Sequence, residues 1–165
     1  MVSPTEIQIR SAARDDAATL LALIGELADY ERLRHEVVAD ATLLERHLFG
    51  ERRVAEAVLA ERAGEAVGYA LFFPTFSTFL GRPGIWLEDL FVRPAERGTG
   101  IGRMLFAHVA SLAVARDCGR LEWSALDWNE PALAFYRGLG AHRLEEWQMH
   151  RLDGEALMTI GRASA

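Results

Sequence analysis

The stretch IWLEDLFVRPAERGTGIGRMLFAHVASL, residues 85–112, restricts the fold more than any other part of the chain. An apolar run at 85–92 reads as a buried strand ended by Arg93-Pro94. A turn carrying Gly98, Gly100 and Gly102 follows, and from about Gly100 to Asp117 the stripe Ile101, Leu105, His108/Val109, Leu112 and Ala113 marks a helix. A strand that feeds a helix through glycines is the building unit of an α/β domain. The first N–H groups of such a helix have no acceptor within it and lie at the positive end of its dipole, so its entrance can hold an anion. Glycine lets that backbone close on phosphate oxygens with no Cβ in the way. A flexible turn that needs no ligand is the plainer reading of the same residues.

The rest of the chain agrees with one domain. Its 165 residues, half of them hydrophobic, suffice for one full core and are few for two, so a single domain over 1–165 is expected. A net charge of −6 disfavours a nucleic-acid surface and favours cationic small molecules. All 18 basic residues are arginine, which excludes Schiff-base chemistry, and the loop lacks the GxxxxGK[ST] pattern. Cys118, the lone cysteine, excludes an intrachain disulfide and reads as a small helix-end residue. His35, His47, His108, His142 and His150 show no metal-ligand spacing, so no metal is expected. No apolar run reaches membrane-spanning length and MVSPTEIQIR lacks a signal-like apolar region, so a cytoplasmic protein is expected. Trp86, Trp123, Trp128 and Trp147 read as core or cleft lining, because no basic residues surround them as a nucleic-acid platform requires.

Alternation at 7–10 predicts a first strand. Asp15 and Asp16 open a helix whose apolar positions are Ala17, Leu20, Leu21, Ile24, Leu27 and Ala28, and Asp40 caps a second helix over 41–49. Strands at 54–62 and 66–73 form a hairpin through Ala63, Gly64 and Glu65; residues 74–84 read as a loop. A strand at 121–126, a helix at 131–140 and one or two strands within 141–152 complete the order β-α-α-β-β-β-α-β-α-β around a mixed sheet.

The glycines lack the spacing of a dinucleotide fingerprint, and Arg97-x-x-Gly100-x-Gly102 after a strand ending FVRP remains. That pattern resembles the acyl-CoA signature of the GNAT N-acetyltransferase family. IWLEDLFVRPAERGTGIG, DWNEPALAFYRGLGA and IRSAARDDAATLLALIGELADYE together resemble its diamine (spermidine/spermine) acetyltransferase branch over nearly the whole chain. The resemblance implies the GNAT fold, a mixed sheet whose two central strands splay apart to admit pantetheine, and acetyl-CoA as cosubstrate. It implies pyrophosphate contacts from Arg97, Gly98, Thr99, Gly100, Ile101, Gly102 and Arg103, and strand-like pairing of pantetheine with Leu90, Phe91 and Val92. Further coenzyme contacts would come from Asn129, Glu130, Pro131, Ala132 and Tyr136. Asn129 is also suited to cap the helix that follows, with Pro131 in its first turn.

Acetyl transfer needs an uncharged amine, a polarised thioester carbonyl and a proton for the leaving thiolate. An alkyl ammonium has a pKa of about 10, so at neutral pH roughly one molecule in a thousand is nucleophilic and its proton needs a route away. Glu88 and Asp89 are neighbours on a strand, so strict alternation sends them to opposite faces. The resemblance selects Glu88 as substrate ligand and base, makes Asp89 structural or a contact on the second face, and makes Tyr136 the acid that protonates the thiolate. Tyr136 as a core aromatic is the alternative. The amine site would also draw on Tyr30, Glu31, Glu122, Trp123, Ser124 and Glu146. The short 141–147 segment and the run Glu122-Trp123-Ser124 depart from the vertebrate polyamine enzymes and leave substrate length open. The expected reaction is direct attack on acetyl-CoA in a ternary complex by a primary amine of a small di- or polyamine. The alternatives are an amino-acid amine such as thialysine, and a CoA-binding sensor without turnover. The resemblance also implies a homodimer.

Overall fold

The alternating residues at the front form strand β1 (Ile7–Ser11), antiparallel to β2 (Glu56–Arg62). The computed structural model describes residues 6–163, which fall into two units divided after Ser124. The first unit is built on one sheet in the order β1-β2-β3-β4-β5, with β3 (Glu65–Ser77), β4 (Arg82–Val92) and β5 (Leu121–Trp123). The first four strands are antiparallel neighbours, whereas β5 runs parallel to β4 because the chain crosses over through helix α3 (Ile101–Ala115).

Both faces of the sheet are covered. Leu20 and Leu23 of α1 (Ala17–Glu31) and Leu48 of α2 (Ala41–Phe49) pack on Ala57, Leu59, Tyr69 and Phe91. On the other face Ile101, Leu105, Val109 and Ala113 of α3 pack on Val58, Ala60, Ala70, Phe72, Ile85 and Leu87. Burial on two sides explains why residues 57–60 are apolar without alternation. Asp40 caps α2, its Oδ1 accepting from the Leu43 N–H at 2.8 Å. Asp16 lies in a short 3₁₀ turn before α1. It accepts from the Ala13 N–H at 2.7 Å and is clasped by Arg10, whose guanidinium also reaches Glu61 at 2.6 Å.

The β2–β3 hairpin closes through Ala63 and Gly64 at φ 52° and 83°, the two left-handed positions of a tight hairpin turn. Ala63 bears a Cβ there at a cost of about 1 kcal/mol. Ala63→Gly is therefore expected to stabilise the protein by about 0.5 kcal/mol after glycine's own entropy is counted, measurable by thermal unfolding.

Three expectations change. Residues 74–84 are mostly strand rather than loop: β3 continues to Ser77, β4 begins at Arg82, and only 78–81 turn. Pro74 and Pro83 are tolerated because this end of the hairpin outruns β2, whose ladder with β3 stops at Glu56↔Phe72, and precedes the first β5 pair at Ile85↔Leu121. Between 141 and 152 no strand forms among the described residues; from His142 to Leu152 every side chain is exposed, and alternation makes a strand only where a ladder receives it. Helix α5 (Gly154–Arg162) was not anticipated, because Gly154 and Gly161 weaken its helical signal. The second unit thus comprises α4 (Glu130–Gly138) and α5 joined by irregular chain.

Candidate active site

The register between β3 and β4 slips once, with Phe72 opposite Leu87 and Leu71 opposite Asp89. Glu88 is the extra residue, a β-bulge, and bulges re-aim side chains. Before it Ile85 and Leu87 face α3, and after it Leu90 and Val92 do, so Asp89 and Phe91 turn toward α1. Strict alternation therefore fails where it would have separated Glu88 from Asp89. Asp89 Oδ2 accepts from the Tyr69 hydroxyl at 2.9 Å, and Glu88 Oε2 accepts from Trp86 Nε1 at 2.8 Å. Both carboxylates, with Glu31 at the end of α1, lie close enough for their charges to act on the Tyr69 phenol.

Burial pushes Asp89 up to about 6, and the charges of Glu88 and Glu31 add to the effect, against the bond from Tyr69, which favours the ionised form. Burial also raises Glu31, and burial with the neighbouring negative charges holds the Tyr69 phenol well above its ordinary range. None of the salt bridges among the described residues neutralises Glu31, Glu88 or Asp89. A cluster of carboxylates partly withdrawn from water and without an arginine attracts an ammonium. Among the described residues no group of side chains could hold a metal ion.

The second feature is an open edge. β5 pairs with Ile85, Trp86 and Leu87 and then stops at Trp123, so Glu88 to Val92 have no strand ladder on that side among the described residues. This is the splay expected between the central strands. The edge leads to the glycine turn, where Gly98 and Gly100 take φ of 76° and 89°; both are left-handed, and Gly100 forms the N-cap of α3. Thr99 Oγ1 donates to the Glu96 carbonyl at 2.7 Å, which tightens the turn. No acidic residue stands in the first turn of α3, and Met104 N–H makes the first helical bond, to Gly100 O at 3.0 Å. Ile101, Gly102 and Arg103 therefore present N–H groups at a positive helix end. Arg97 donates from Nε to the Val92 carbonyl at 2.9 Å and lies 4.3 Å from the Tyr30 ring centroid, stacked on the last turn of α1. This combination of open edge, left-handed glycines and cationic turn fits the arm and pyrophosphate of coenzyme A.

The remaining candidates are spread more widely. Glu122 is ion-paired with Arg120 at 2.7 Å, and Trp123 packs edge-on against Phe106 at 5.2 Å within the α3-side core; Ser124 is exposed just beyond β5. The structure thus gathers Tyr30, Glu31, Glu88 and the Leu90–Val92 edge near one another, and Trp123 is half-buried with Phe106 packed on it. In the second unit, Asn129 caps α4 through Ala132 N–H at 3.4 Å, Pro131 lies in the first turn, and Glu130 is ion-paired with Arg137. Tyr136 is half-buried beside Phe135, with ring centroids 5.3 Å apart. Glu146 is exposed in a turn of the irregular segment. Tyr69 was missed altogether, since its value comes from sitting across the ladder from a residue twenty positions away.

The family profile described as acetyltransferase (GNAT) family matches residues 21–141. The chain belongs to the GNAT acetyltransferase family. This acetyltransferase is 38% identical to bovine (Bos taurus) thialysine N-epsilon-acetyltransferase over 93% of its own length and 96% of the relative's. It is 29% identical to human (Homo sapiens) spermidine/spermine N(1)-acetyltransferase-like protein 1, over 93% of its own chain but 23% of that protein. Among solved structures, an integron cassette protein from the mobile metagenome of V. cholerae superposes with a TM-score of 0.80 at 26% identity, covering 94% of the acetyltransferase and 98% of the other chain. The expected fold class, family and acyltransferase chemistry are thereby established. No helix among the described residues of the acetyltransferase is long and apolar enough to cross a membrane.

Proposed function

We propose that the enzyme acetylates a primary amine of a small cationic molecule by direct attack in a ternary complex. The observation that carries this reading is the unneutralised carboxylate cluster at the β4 bulge, immediately beside the open strand edge. Bound acetyl-CoA would supply the thioester carbonyl that the amine attacks. Leu90, Phe91 and Val92 offer backbone groups to its pantetheine arm, and the turn from Arg97 to Arg103 offers N–H groups and two arginines to its pyrophosphate. The family resemblance implies further coenzyme contacts from Asn129, Glu130, Pro131 and Ala132. Glu88, exposed at the bulge, binds the ammonium and takes its proton; Tyr136 returns a proton to the leaving sulfur, the pKa values of phenol and thiol being close enough for easy transfer.

Two substrate classes remain from the sequence. The amino-acid amine of the thialysine type is favoured, because the bovine relative is matched over almost its full length. The di- or polyamine reading is supported by the more distant human relative and by the several carboxylates, which suit a substrate with two positive charges. Thiol release from acetyl-CoA across thialysine, lysine, putrescine, spermidine, spermine and a histone-tail peptide separates them. Thialysine is expected to give the highest kcat/KM, and preference for spermidine would reverse the order. No turnover with any of these amines, despite acetyl-CoA binding, would favour a sensor that has kept the family's fold.

Tyr136→Phe is expected to lower kcat by about a hundredfold with the KM for acetyl-CoA within a factor of three, measured in the same assay. We further propose a homodimer, for which light scattering at micromolar protein should give twice the chain mass; a monomer mass refutes it.

A further inference from the structure

Tyr69 has no role in the transfer scheme, yet its hydroxyl reaches the carboxylate cluster. Its ring is fully buried at 0% exposure in the apolar layer with Leu20, Leu23, Leu59 and Phe91, and its centroid lies 6.3 Å from that of Phe91. Phenylalanine would fill this place with nothing to desolvate, so the oxygen needs its own explanation. Its partner is Asp89, one residue beyond the bulge, at 2.9 Å. We propose that Tyr69 is a positioning residue for amine recognition: its hydroxyl holds the Asp89 carboxylate in place beside Glu88, so that both meet the ammonium of the substrate.

This rests on the amine-transferase reading above and adds to it a residue that sets affinity for the cationic substrate. The groups that act on Asp89 are Tyr69 from β3, through its hydrogen bond, and the charges of Glu88 beside it on β4 and Glu31 from the end of α1. Two of the three are carboxylates and oppose its ionisation; the phenol is the one that favours it. An ammonium arriving at Glu88 acts in the same direction as the phenol. Without the hydroxyl, Asp89 keeps its burial and its negative neighbours and loses the bond that offsets them. It then takes up a proton at higher pH and offers less charge to the amine.

The test is Tyr69→Phe in the full chain, with thialysine and spermidine as probes. The KM for the better amine at pH 7 is expected to rise about tenfold, with kcat within threefold and the KM for acetyl-CoA unchanged. The acid limb of kcat/KM for the amine, expected near pH 6 from Asp89, should move upward by on the order of one unit. A variant with the parent's Tm, an unmoved limb and an unmoved amine KM would overturn the proposal and leave Tyr69 a packing residue. A readout independent of turnover is the carbon-13 carboxyl titration of Asp89, which should move up in Tyr69→Phe and down on adding thialysine to the parent. Failure of the transferase reading appears as absence of thiol release by the parent. The titration then decides the positioning role alone: a shift with thialysine supports it, and no shift overturns it.

Discussion

Asp89→Asn is expected to make the protein more stable at pH 8 by on the order of 3 kcal/mol and to make it a poorer amine acetyltransferase. The folded state raises the Asp89 carboxyl from 3.8 to about 6, chiefly through burial. It therefore binds the proton more tightly than the unfolded chain does. The stability contributed by this group is fully present below about pH 4 and is lost as pH rises through 6; above pH 7 the ionised carboxylate opposes folding. A difference of about two units corresponds to ~3 kcal/mol. Asparagine has nothing to ionise and can still accept from the Tyr69 hydroxyl. Urea unfolding of parent and variant at pH 5 and pH 8 checks the sign: most of the gain should appear at pH 8 and shrink at pH 5. A gain equal at both values would mean that desolvated charge is not its source. A residue that costs stability at working pH and is needed for substrate binding is the usual signature of a functional site.

Glu88→Gln behaves in the opposite way. The side chain is exposed and its hydrogen bond from Trp86 Nε1 can pass to the amide oxygen, so unfolding should change by less than about 0.5 kcal/mol. Activity should fall by about 10²–10³ in kcat/KM for the amine at pH 7, with acetyl-CoA affinity preserved. The deficit should narrow toward pH 9.5, where the amine loses its proton to water unaided. A pH profile of initial rates for parent and variant tests this. A constant deficit across the range would assign Glu88 to cation binding alone.

Much of the fold was legible because its signals are local. Asp40 before a periodic run announces α2, and Gly98 and Gly100 before Ile101 announce the entrance to α3. The bulge was not legible, because it exists only in the register between Phe72 and Leu87, on two successive strands of a long hairpin. Alternation within LEDL therefore assigned Glu88 and Asp89 to opposite faces, and Tyr69 carried no mark of its partner. The prolines at 74 and 83 suggested a loop because a sequence does not show where the neighbouring strands end. Glu31 entered the site through family resemblance, whereas its closeness to Asp89 comes from α1 ending over that part of the sheet. The alternation within 141–152 makes no strand for want of a ladder, and Trp123, expected as core or cleft lining, lies half-buried against Phe106 on α3.

Because Glu88 is one residue in excess, β4 on either side of it keeps the alternation that the strand would have without it. Deleting Glu88 would restore strict alternation and leave Asp89 and Phe91 toward α1 and Leu90 and Val92 toward α3, so both cores would keep their residues and only the re-aimed carboxylate would be lost. Immediately before Arg82 the hairpin turn at 78–81 carries Phe79 at 97% exposure, outside both cores. Chains built on this plan are thus free to lengthen or shorten at the turn, while the loss of the one extra residue at the bulge would remove an acidic group from the site and leave the sheet's two faces as they are.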